Sequence, residues 1–199
     1  MADGKRIFDS QQRTTTMSIL KKTVAAAFIF YGLSSPSHAA QPEKLDSGFY
    51  RTEYAKPGDW IVVRFSSDRA GKKDRMCTAL KVRESDMMVR FSFDAQHKEF
   101  SYGLSAPRPE DNSPAKLTVW FNGNKASTVA SDADYLLDAD GGEYLSVTKT
   151  NATPAADMFS SQNSISFLYK FEKADRTETF QLSGIKPALA KLFDCAAGR

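Results

Sequence analysis

Two cysteines, Cys77 and Cys195, and two histidines, His38 and His97, are all the thiol and imidazole chemistry this chain carries. A cysteine nucleophile needs an adjacent base, and a Cys/His metal site needs several ligands at close spacing. His97 lies in "DAQHKEF", a polar stretch that reads as a turn, where exposure is the ordinary state. A Ser-His-Asp site in the processed chain would have to use it, and no strained G-x-S-x-G elbow accompanies it. The acid run "DADYLLDADGGE" offers Asp132, Asp134, Asp138, Asp140 and Glu143 as oxygen ligands for calcium. An EF-hand loop needs an oxygen donor at its fifth position and glycine at its sixth. Counted from Asp138, those positions hold Gly142 and Glu143, so the pattern fails and a solvated hairpin turn is expected. There is no phosphate-cradling glycine loop, and nothing singles out two carboxylates as an acid–base pair. No catalytic residue, metal or cofactor is expected.

Charge and aromatic residues offer binding rather than catalysis. Arg64, Arg69, Lys72, Lys73, Arg75, Lys81, Arg83 and Arg90 crowd one stretch against four acids. Such a lopsided map suits either a solvated sheet face or docking to a charged partner. In "LTVWF", Trp120 alternates with Leu117, Val119 and Phe121, so it points outward if those three point inward. Exposed aromatics on a rigid sheet mark recognition surfaces. Trp120 and the nearby basic residue Arg90 are therefore the candidate binding residues, unless a second layer covers Trp120.

The front of the chain bears on compartment. From Met17 it reads "MSILKKTVAAAFIFYGLSSPSHAA": a short basic region, an apolar run of about 11 residues, then small residues. That is the layout of a secretory signal peptide, and the run is too short for a span that needs roughly 20 residues. Residues 1–16 read as an over-extended N-terminus, 17–39 as the signal peptide, 40–57 as a lead-in and 58–199 as one domain. Residues 1–39 hold five of the 27 Lys/Arg and two of the 24 Asp/Glu, which leaves 22 of each sign. A neutral processed chain gives no general attraction to nucleic acid. No membrane span is expected in it. The sequon at Asn151 matters only in a host that glycosylates.

In an exported protein an even pair of cysteines is most simply a disulfide, with two separate buried thiols as the alternative. Closing a loop of about 120 residues stabilises a fold by roughly 4 to 5 kcal/mol on the chain-entropy model. The bridge would keep the C-terminal segment from fraying.

The elements follow from periodicity. "DWIVVRF", "MCTALKVR" and "DMMVRFSFD" read as strands, the last with Met87, Val89, Phe91 and Phe93 alternating with Met88, Arg90, Ser92 and Asp94, the pattern of a sheet with one wet face. "KEFSYGL" follows, then "LTVWF" into an "NGN" turn with "KASTVAS" as the return strand. "DYLLDADGGEYLSVT" reads as another strand pair, and "SISFLYKFE" with "TETFQLS" as a hairpin. A short helix is expected after Thr153 and Pro154. In "SGIKPALAKLFDC", Ile185, Leu189, Leu192 and Phe193 fall at helical spacing, with Pro187 in the first turn. The expected fold is mainly β: an antiparallel β-sandwich or barrel of about eight to nine strands with one C-terminal amphipathic helix.

"GDWIVVRF", the cysteine of "MCTAL" and the closing "FQLSGIKPALAKLFDC" resemble small exported alphaproteobacterial proteins of the invasion-associated locus B family. The chain departs from that pattern at Arg64, where a cysteine is often found. The resemblance implies a periplasmic β-rich protein and supplies no site residues. The expected function is a non-enzymatic periplasmic or secreted binding or accessory protein of the cell envelope, with a protein or envelope polymer as partner. The alternatives are an envelope-acting hydrolase and an inhibitor or partner of another secreted protein.

Overall fold

Eleven strands in one antiparallel sheet account for more than half of the described residues. The computed structural model describes residues 41–83, 87–108, 115–137, 142–149, 157–171 and 173–199. The leader reading, Asp138, Asp140, Asn151, Thr153 and Pro154 lie outside the described residues.

The strands are β1 (Glu43–Lys44), β2 (Tyr50–Ala55), β3 (Ile61–Ser66), β4 (Met76–Val82), β5 (Met88–Asp94) and β6 (Glu99–Ser105). They continue with β7 (Ala115–Phe121), β8 (Val129–Leu137), β9 (Glu143–Lys149), β10 (Ser164–Phe171) and β11 (Ala174–Gln181). A helix over Ile185–Ala197 closes the chain. β1 to β6 lie side by side in sequence order, and the sheet then runs β9, β8, β7, β10, β11. Strands β7 to β10 thus form a Greek key, with β10 returning beside β7.

The strand count exceeds expectation because β1 and β2 occupy the stretch read as a lead-in. Tyr54 and Ala55 of β2 pack on the core, and the Tyr54 hydroxyl donates to the Arg199 carbonyl. A second difference follows "NGN". The Asn124 side chain accepts from the Ala126 N–H at 3.1 Å and holds Lys125–Ser127 as a 3-10 turn. The return strand therefore starts at Val129 and runs unbroken to Leu137.

Core residues fall largely at alternate positions, so the strands after β1 give one face to a shared cluster that includes Val62, Ala79, Phe91, Leu117, Leu145 and Phe167. Phe159, from a helical turn at 157–160, sits at its centre with no exposed surface. Its ring lies 4.9 Å from that of Phe91 and 5.5 Å from that of Phe121, joining the two halves of the sheet. The sheet curls back on itself: Arg83, just past β4, reaches Glu178 on β11 at 2.6 Å and donates to the Thr179 carbonyl at 3.2 Å.

The helix packs on β3, β4 and β5 through Ile185, Ala188, Leu189 and Leu192. Phe193 adds an edge contact to Phe93 at 5.3 Å. Cys195 is bonded to Cys77 of β4, with Cα atoms 6.2 Å apart and no exposed surface on either residue. Arg75 grips the end of the helix, donating to the Ala196 carbonyl and to the Gly71 carbonyl, both at 3.0 Å. A cation there complements the negative end of the helix dipole.

Candidate functional site

The two candidate binding residues are not at the surface. Trp120 lies opposite Leu117 and Val119 as its spacing predicts, yet it is only 5% exposed, with the Lys125 ammonium 5.5 Å from its ring. Arg90 is 4% exposed, stacked on the Tyr144 ring at 3.7 Å and donating to Thr78 Oγ1 and Ser92 Oγ. The two sit on β5 and β7, four strand spacings apart, or about 19 Å along the sheet. The structure does not bring them together as one exposed patch.

Other members of the basic stretch are similarly occupied. Arg64 stands opposite Cys77 in the β3–β4 ladder, and its guanidinium fills the space beside Gly71, where φ is +69° and a Cβ would have no room. Lys81 reaches Asp59 at 3.6 Å and donates to Ser183 Oγ at 3.2 Å. Arg75, Lys81 and Arg83 thus fasten the ends of the helix and the returning β11, while Arg69, Lys72 and Lys73 are exposed.

His97 is an exposed turn residue. Asp94 accepts from the backbone N–H groups of Gln96 and His97 and pairs with His97 Nδ1 at 2.8 Å. The hydrogen bond and charge of Asp94 hold the His97 imidazole above its ordinary value. Burial pushes Asp94 up, but the His97 bonds and the Gln96 N–H outweigh it and leave the carboxyl below its usual range. Of the acid run, Asp132 and Asp134 belong to β8 and Glu143 to β9, where Glu143 accepts from the Arg108 backbone N–H at 3.1 Å.

A different site emerges from the ladders. β8 serves two neighbours: Val129–Ala133 pair with β7, and Asp134–Leu137 pair with β9. A strand that changes partner in this way turns a corner between two parts of a sheet. The β8–β9 ladder runs from Leu137↔Glu143 to Asp134↔Ser146 and stops. The next three rungs in the same register, Ala133 with Val147, Asp132 with Thr148 and Ser131 with Lys149, are not formed. The strands part there into a fork.

The fork opens a cleft of about 370 Å³ lined by Lys116, Ala130, Ser131, Asp132, Val147, Thr148 and Lys149. Beneath it lies Tyr102 of β6, hydrogen-bonded to Ser131 and 3% exposed, its ring backed by Phe159 at 4.8 Å. Burial raises the Tyr102 phenol above its ordinary value, so it stays protonated. Beside Tyr102, Gly103 lets β6 and β9 close up, because a Cβ there would overlap the Leu145 carbonyl oxygen. Sequence patterning missed this site. Its residues are ordinary strand residues, and only the register shows that they face an unzipped ladder.

No family model matches the chain, and no curated protein matches it. Among solved structures, the chain is similar to the crystal structure of invasion associated protein b from Bartonella henselae. The two are 12% identical, with a TM-score of 0.45 over 70% of this chain and 94% of the other. That protein bears the name of the family the chain's two ends resemble, and no residue role is taken from it. Among the described residues, no helix is long and apolar enough to cross a membrane, which says nothing of spanning by strands.

Proposed function

We propose that the protein is an exported, non-catalytic binding protein of the cell envelope, and that the β8–β9 fork holds its partner. The observation that carries this reading is the fork itself, an open cleft between two strand edges that lack a shared ladder. Two further features support an extracytoplasmic setting. The leader has the three-part layout of an export signal. The bond between Cys77 and Cys195 suits an oxidising compartment.

The test joins location to contact. Cells are fractionated, the thiol state of the protein is read by alkylation, and a photo-crosslinking residue is placed at Thr148 or, as a distal control, at Lys170. The expected result is an oxidised protein in the envelope fraction, with an adduct from position 148 and none from position 170. Retention in the cytoplasm with two free thiols would overturn the reading.

A further inference from the structure

We infer that the fork takes an extended, acidic peptide segment, added as a short strand to the free edge of β9. The inference rests on the fork being the binding site and names the chemistry of what it binds.

The backbone supplies the first reason. β9 is paired with β6 along Phe100↔Lys149, Ser101↔Thr148 and Tyr102↔Val147, so only its opposite edge faces the fork. Across the cleft, Ala130–Asp132 of β8 are paired with β7 and likewise present their other edge. Both lips therefore offer backbone N–H and C=O groups to an incoming chain, the requirement for strand addition. Antiparallel pairing is the stronger per residue, which favours a segment running against β9 toward the apex at Ser146. Three unformed rungs correspond to about 10 Å of strand, or three to four residues.

The side chains supply the second reason. Lys116 and Lys149 flank the cleft, both exposed, and among the described residues neither is ion-paired. Asp132 is the one carboxylate in the lining, so the cleft carries an excess of one positive charge. Only Ala130 and Val147 are apolar, which disfavours a purely hydrophobic ligand. No aromatic residue lines the cleft to stack nucleobases, which disfavours single-stranded nucleic acid. An extended chain with carboxylate side chains satisfies both the open edges and the lysines. The third reason is rigidity. Each lip is held by a ladder on its far edge, β9 by β6 and β8 by β7, so little ordering of the cleft is needed on binding.

The experiment titrates the oxidised protein with a blocked hexapeptide alternating glutamate with threonine and valine, following backbone amide NMR signals. Two control peptides are used, one N-methylated at alternate backbone nitrogens and one with lysine in place of glutamate. The acidic peptide is expected to shift the amides of Ser131, Asp132, Thr148 and Lys149 and leave those of β10 and β11 in place. N-methylation should weaken binding by about tenfold or more, the scale of one to two lost hydrogen bonds. The double variant Lys116→Glu with Lys149→Glu should reverse the preference, binding the lysine peptide better than the acidic one.

Equal binding of the methylated peptide would overturn strand addition in favour of charge alone. Loss of fork signals through self-association without peptide would identify a second copy as the occupant, and would also overturn the inference. So would an acidic peptide that leaves the fork amides unmoved at millimolar concentration. If an adduct still formed from Thr148 in cells in any of these cases, the fork would remain the binding site and only the acidic-strand chemistry would fall.

Discussion

Cys77 and Cys195 stand 118 residues apart in sequence and are bonded where the last turn of the C-terminal helix meets the start of β4, with no exposed surface on either. The helix has 13 residues, a length at which an isolated helix is marginal in water. Cys195→Ser should therefore cost about 2 to 5 kcal/mol of stability and expose the last helix to proteolysis. Urea unfolding of the oxidised wild type against the variant measures the first, and limited proteolysis the second. An unchanged urea midpoint would show that packing alone holds the helix.

Arg75 is the second fastener. Arg75→Ala removes the bonds to the Ala196 and Gly71 carbonyls and should cost about 1 to 3 kcal/mol, as for charge-assisted bonds lost from a half-buried site. Amide exchange should speed up at Gly198 and Arg199, whose N–H groups bond to the Cys195 and Asp194 carbonyls. Exchange in β10 should not change.

Trp120 is expected to behave as a packed residue. Trp120→Ala should lower stability by about 3 kcal/mol, the lower end of the range for a buried aromatic cut to alanine. A thermal melt checks this, and a variant that melts with the wild type would return Trp120 to the surface.

The Asp94–His97 pair gives a pH signature. His97 titrates above its unfolded value of about 6.5, so its contribution to stability is full below that pH and is lost as pH rises through the folded value. Asp94 titrates below its unfolded value of about 3.9, so its contribution is present above that pH and is lost as pH falls through the folded value. In an NMR titration the His97 midpoint should fall toward 6.5 in Asp94→Asn. An unchanged midpoint would mean that the turn contact is not made in solution.

Much of the fold was legible because burial leaves a period. Met87, Val89, Phe91 and Phe93 alternate, and β5 appears where they do, with that face on the core. Ile185, Leu189 and Leu192 keep helical spacing, and all three are buried under the helix. The cysteine pairing was legible from the count, a single pair in the whole sequence, read beside an export-like leader. The roles of the charged residues were not legible, because a sequence shows a charge and not its partner. Arg75, Arg83 and Arg90 looked like a surface and instead hold together segments far apart in the chain. The fork was hidden for a related reason. Ser131 and Thr148 have unremarkable strand propensity, and which rungs close is decided by where β8 leaves β9 for β7.

That change of partner also bears on how the molecule comes apart. β8 gives five residues to one ladder and four to the next. Melting it would take one of two neighbours from both β7 and β9 at the same moment. Phe159, touching rings from both halves, ties their interiors in the same way. The eleven strands should therefore unfold as one cooperative unit, giving a single calorimetric transition whose van't Hoff and measured enthalpies agree.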